Sequence, residues 1–108
     1  MMSRREQLEE LLKSDPEDLF LHYALAMACL SDGETTQGLE RLDQVIQRDP
    51  DYVAAYFQKG QAFATQGDTA AAKSALTQGI EVARKTGDSH AEAEMRAFLE
   101  ELPCNQND

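Results

Sequence analysis

Long hydrophobic runs are missing from this chain of 108 residues. The longest, Ala24 to Leu30, falls well short of the roughly 18 apolar residues of a membrane-spanning helix. Cysteine is scarce too: Cys29 and Cys104 lie far apart, with no CxxC or His-rich spacing around either. That argues against a disulfide framework and against a zinc site, and makes a reducing cytoplasm the expected compartment. Three prolines and six glycines are too few for an all-β chain full of turns. Cations are outnumbered, with 10 Lys and Arg against 20 Asp and Glu and a net charge of -10. Binding to nucleic acid phosphates needs clustered Lys and Arg, so nucleic acid is not an expected partner. The same deficit argues against an anionic membrane surface. Met1-Met2-Ser3-Arg4-Arg5 has a basic start, but Glu6, Gln7, Glu9 and Glu10 follow at once. The apolar core of a secretion signal is absent there.

What the chain does have is an ordinary globular balance, 42% hydrophobic and 28% charged, with plentiful Ala, Leu, Glu and Gln. The bias is toward helix. It also has an internal repeat. Asp15-Pro16 recurs as Asp49-Pro50, an offset of 34 residues. The same offset carries Tyr23 to Phe57, Ala28 to Ala62, Gly33 to Gly67, Leu42 to Leu76, Gln44 to Gln78 and Ile46 to Ile80. Like-for-like matches in one register are the signature of stacked supersecondary units.

Each unit reads as two antiparallel helices. The first is expected to open after Asp15 as N-cap, with Pro16 at the first helical position, and to run to Ser31. Asp32-Gly33 breaks it, and a second helix runs from about Glu34 to Arg48. The next unit repeats the scheme over Pro50–Thr65 and Asp68–Lys85, with Gln66-Gly67 between them and Thr86-Gly87-Asp88 as terminator. Ahead of these, Ser3 and Glu6 suit a capping box, and Leu8, Leu11 and Leu12 form an i, i+3, i+4 stripe. Shifted by 34 they fall on Leu42, Val45 and Ile46, so residues 3–14 read as the second half of an incomplete unit. After Gly87, Ser89 and Glu92 suggest another box. Ala91, Met95, Phe98, Leu99 and Leu102 then make one apolar stripe opposite Glu94, Arg96, Glu100 and Glu101. One greasy and one charged face is what the closing helix of a repeat array needs. Pro103 stops it, and residues 103–108 are expected to fray. The whole is expected to form a single domain, with repeat units at 15–48 and 49–86 and the capping helix at 88–102. Gly38, Gly60, Gly79, Ala26 and Ala72 sit where helices must approach closely.

These residues resemble the tetratricopeptide repeat family, whose signature is W-x2-L-G-x2-Y, then A-x3-F, then P, over 34 residues. The first unit reads His22-x2-Leu25-Ala26-x2-Cys29, Gly38-x3-Leu42, Pro50. The second reads Tyr56-x2-Lys59-Gly60-x2-Phe63, Ala72-x3-Leu76, with Arg84 in place of the proline, which lets that helix run on by a turn. The resemblance implies an all-α fold, a right-handed antiparallel helix-pair solenoid. It would have two full repeats, an N-terminal half-repeat helix and a C-terminal capping helix. It also implies a protein–protein interaction module whose concave groove holds a peptide or partner segment.

The stretch Leu19 to Leu30 is apolar nearly all round, so it must be covered on more than one side. Leu25, Ala26 and Cys29 account for packing within the unit. Phe20, Tyr23, Met27 and Leu30 then fall, at i, i+3, i+7 and i+10, on the face that the resemblance assigns to the groove; Phe57 and Gln61 continue it in the next unit. These six are the candidate partner-binding residues, unless neighbouring helices cover them. Some family members grip acidic tails through Lys, Arg and Asn; here Tyr23, Ala24, Met27, Phe57, Gln58 and Gln61 stand instead, with Lys59 the only nearby cation. An apolar or basic ligand is therefore expected. A structural alternative is that the same face drives homodimerisation, lengthening a short array.

No catalytic constellation emerges. The carboxylates Glu9, Glu10, Glu92, Glu94, Glu100 and Glu101 fall on outer helix faces, and no Gly-rich phosphate loop follows a strand. His22 and Cys29 occupy packing slots, His90 an exposed first turn, and Cys104 the tail. The expectation is a non-enzyme with no cofactor and no metal.

Overall fold

The computed structural model describes residues 1–103, and among them helix is the only regular structure. The chain forms two compact units, Met1–Asp49 and Pro50–Asp108. Unit 1 holds α1 (Arg4–Ser14), α2 (Leu19–Ser31) and α3 (Thr35–Arg48). Unit 2 holds α4 (Val53–Thr65), α5 (Thr69–Thr86) and α6 (Ser89–Glu101). Residues 104–108, including the tail thiol Cys104, lie outside the described residues.

The helix starts show local sequence at work. Ser3 and Glu6 form a reciprocal capping box, Glu6 N–H donating to Ser3 Oγ at 3.2 Å and Ser3 N–H to Glu6 Oε1 at 2.8 Å. Asp68 caps α5 through Ala71 N–H at 3.1 Å. α6 is capped one residue earlier than expected: Asp88 accepts from Ala91 N–H at 3.0 Å, and Ser89 is already helical. A carboxylate at the N-cap also meets the positive end of the helix dipole, which a Ser hydroxyl does not match.

Both Asp-Pro pairs correct the expected boundaries. α2 begins at Leu19 and α4 at Val53, three residues later than a proline at the first helical position would give. Asp15 and Pro16 instead open a tight turn, closed by Asp18 N–H donating to Asp15 carbonyl at 3.2 Å. Aspartate first and proline second is the composition that such a turn prefers, because the ring presets φ at the second position. Asp18 is then the true N-cap, accepting from Leu21 N–H at 3.1 Å. The turn carbonyl has its own partner. His22 Nε2–H donates to Pro16 carbonyl at 2.8 Å, and in the next repeat Tyr56 hydroxyl donates to Pro50 carbonyl at 2.7 Å. Two different side chains thus perform one task at equivalent positions, and the carbonyl acceptor fixes His22 as the Nε2–H tautomer. Each turn is also tied to the end of its repeat's second helix, Glu17 to Arg48 of α3 at 3.4 Å and Asp51 to Lys85 of α5 at 3.0 Å.

At the other helix ends, Gly33 and Gly67 take φ of 81° and 82°, the left-handed conformation that lets the chain reverse. α6 ends at Glu101 because Leu102, which precedes Pro103, is pushed to extended backbone with ψ of 144°.

Packing follows the expected stripes except at Leu11 of α1, which is 55% exposed. In unit 1, Leu8 of α1 meets Ala24, Leu25 and Ala28 of α2, with Leu12 and Leu21 alongside. α3 buries Leu42 and Val45 completely, and the close α2–α3 approach leaves no room for a Cβ at Gly38, which would come within 2.5 Å of Leu30 Cδ2. In unit 2, Leu76, Ile80, Ala83 and Met95 form the core. Each fully buried Leu or Met contributes about 1.5–3 kcal/mol by transfer arithmetic. Gly79 permits the close approach of α6 to α5: a Cβ there would lie only 2.6 Å from Met95 Sδ. α5 runs for 18 residues against 14 for α3, the extension that Arg84 permits in place of proline.

Candidate functional site

Helix α2 contains no charged residue. One side of it faces α1 through Ala24, Leu25 and Ala28, and another faces α3, where Leu30 covers Gly38. Ala26 and Cys29 are fully buried. Two sides are therefore occupied within the unit, and a third carries Phe20, Tyr23 and Met27, with Leu30 at its edge reaching over Gly38. Phe20 is 64% exposed, whereas Tyr23, Met27 and Leu30 are half-buried. Phe20 is thus the open end of this face.

In unit 2 the α4 face changes character. Ala54, Phe57, Gln61 and Ala64 stand where α2 has Phe20, Tyr23, Met27 and Leu30. Gln61 is half-buried. Phe57 is half-buried too, and its ring sits edge-on to Phe98 of α6, with centroids 6.0 Å apart and planes at 69°. This is an arrangement aromatic pairs favour. Phe57 thereby packs against the core of its own unit, together with Val53, Phe98 and Leu99. The structure places the six candidates in two sets: four on α2 in unit 1, and two on α4 in unit 2. Sequence reading missed Phe98 as the cover of Phe57. Its signal was present as a stripe position on α6, but the 41-residue separation hid the contact.

The electrostatics of unit 1 are one-sided. Residues 1–49 hold five Lys and Arg against eleven Asp and Glu, a net of -6. Asp15, Glu17 and Asp18 lie ahead of α2, and Asp32 and Glu34 follow it. Arg48 meets Glu17, whose side chain is 88% exposed; Arg5 approaches Asp32 at 3.9 Å and donates to Gln37 Oε1 at 2.9 Å. All three are surface ion pairs or hydrogen bonds of modest strength. On α6, Glu92 bridges Arg84 at 3.1 Å and Arg96 at 3.0 Å, while His90 is exposed beside Glu94. An open depression of about 410 Å³ on unit 2 is lined by Tyr56, Gln78, Glu81, Val82 and Lys85, the last already paired with Asp51. It contains no nucleophile–base pair. Among the described residues no group of three His, Cys, Asp or Glu is placed to hold a metal ion, and no helix is long and apolar enough to cross a membrane.

The comparisons with known proteins agree with this architecture. The family model described as Tetratricopeptide repeat matches residues 23–87. A solution structure of a protein from Bordetella parapertussis aligns with a TM-score of 0.85 at 27% identity, over 94% of this chain and 89% of that one. A solution structure of a tetratricopeptide repeat domain protein from Salinibacter ruber aligns at 0.76 and 32% identity, covering 81% of this chain and 88% of that one. A crystal structure of a tetratricopeptide repeat domain protein from the same organism gives 0.72 and 30%, over 79% and 96%. No curated protein matches significantly. The chain belongs to the tetratricopeptide repeat family, and its fold is an all-α helical repeat. That family's fold is in general a non-catalytic interaction or scaffold module that binds other proteins or peptides.

Proposed function

We propose that the chain works as an interaction module that captures a peptide or partner segment on the α2 face of unit 1, through Phe20, Tyr23, Met27 and Leu30; Phe57 and Gln61 on α4 are candidates within their own unit. The observation that carries this reading is Phe20. A phenylalanine 64% exposed at the end of an uncharged helix is a cost to a free monomer and an asset to a complex. Neither catalysis, a cofactor nor a metal has a place in this reading, and the cytoplasm is its compartment. The partner is apolar or basic, since a chain of net charge -10 repels an acidic one.

The test is a photo-crosslinking residue placed at Phe20 and, as control, at Glu101 on the outer face of α6. A discrete partner is expected from position 20 alone, and binding of that partner, once purified, is expected to disappear with Phe20→Ser. Equal crosslinking from both positions overturns the site. Light scattering over a wide concentration range addresses the homodimer alternative: a constant monomer mass removes it.

A further inference from the structure

Resting on that interaction reading, we infer what the captured segment is made of: an apolar stretch with Lys or Arg at both ends, lying along α2. Three observations converge. First, the chain carries no charge between Asp18 and Asp32, and on this side of α2 Phe20 is exposed with Tyr23 and Met27 half-buried along the same stripe. Second, both ends of this stripe are acidic, with Asp15, Glu17 and Asp18 before it and Asp32 and Glu34 after it. Of these, Asp18 is committed to the helix cap, and Glu17 and Asp32 meet arginines only at 3.4 and 3.9 Å, leaving capacity for further cationic contacts. Third, the unit as a whole carries -6, so its field draws cationic segments and repels acidic ones. A second copy of the chain would bring the same charges to the same face, which makes it a poor occupant.

The geometry sets the spacing. A helix of 13 residues spans about 20 Å at about 1.5 Å per residue. An extended segment lying along it covers that distance in about six residues. The matching ligand therefore has about six residues between its basic ends, with an apolar side chain seated on Phe20.

Three synthetic peptides test this on the full chain. They share one six-residue apolar centre and differ in flanks of two Lys, two Ser or two Glu at each end. Titration calorimetry at low and high salt is combined with amide chemical-shift mapping. The Lys-flanked peptide is expected to bind on the order of tenfold tighter than the Ser-flanked one, from several exposed ion pairs of modest strength acting together. Raising salt is expected to erase that advantage, and the Glu-flanked peptide is expected to bind weakest. Shifts are expected along residues 19–31, and Phe20→Ser is expected to abolish binding while leaving the helical spectrum unchanged. Asp15→Asn with Glu34→Gln is expected to remove the preference for Lys flanks without removing the apolar contact. Equal binding of all three peptides along α2 overturns the charge assignment and leaves the interaction reading standing. Absence of binding by any peptide, or binding that Phe20→Ser does not change, overturns the inference outright.

Discussion

Gly79→Ala sets helix propensity against packing, and the structure decides the sign. Glycine within a helix costs about 1 kcal/mol relative to alanine, so propensity alone makes this substitution stabilising. At this position an added Cβ would lie 2.6 Å from Met95 Sδ and 2.7 Å from Tyr56 Cβ. Comfortable contacts between such atoms are about 3.5–4.0 Å. The Met95 sulfur belongs to a flexible side chain, but that side chain is fully buried and its Cε is also within 3.3 Å. Tyr56 Cβ is one bond from the α4 backbone, so it yields only if the helix moves. Overpacking of this kind costs about 1–3 kcal/mol. With the propensity gain offsetting about 1 kcal/mol, and a rigid atom on one side, the expected net loss is about 1–2 kcal/mol. Urea denaturation followed by circular dichroism should show a lower midpoint at unchanged slope. In a Met95→Ala background the penalty should shrink but persist, because the Tyr56 contact remains. A midpoint that rises with Gly79→Ala refutes the close-approach account of this glycine.

Met95→Ala alone, at a fully buried site, is expected to cost about 2–5 kcal/mol in the same melts, and removal of residues 89–108 to cause aggregation by uncovering Leu76 and Ile80. Tyr56→Phe removes the hydroxyl that serves Pro50 carbonyl, with an expected loss of about 0.5–1.5 kcal/mol by denaturant titration. Phe20→Ala is expected to leave stability within about 0.5 kcal/mol, measured the same way, because the ring is mostly exposed. Lys13 titrates above the ordinary lysine range because it hydrogen-bonds Glu10 and feels its charge. A raised folded-state value stabilises below the unfolded lysine value and is lost as pH rises through the folded one. Since Lys13 is exposed, Lys13→Met should lower stability only slightly in melts at neutral pH, and that difference should vanish once the pH passes the folded lysine value.

Much of the fold was legible because its causes are local. The 34-residue period, the Ser3–Glu6 box and the glycines at 33, 67 and 87 act through residues within a turn or two of themselves, and the helices they imply are all present. The same locality set the limits. Asp15-Pro16 is compatible with both a helix start and a tight turn. The turn prevails where Asp18 supplies a cap and His22 supplies a donor to the freed carbonyl. At α6, Asp88 and Ser89 are both able caps, and the carboxylate takes the position.

The sequence by itself determined that this chain is a helical repeat, where its helices turn, and that α2 is apolar nearly all round. Only the tertiary structure decided which of those apolar side chains remain open. Tyr23 and Phe57 are equivalent by repeat, yet Phe57 sits edge-on to Phe98 while Phe20, one turn before Tyr23, stands in solvent. The physical reason is that periodicity fixes the direction of a side chain from its own helix, whereas exposure depends on which distant helix arrives to cover it.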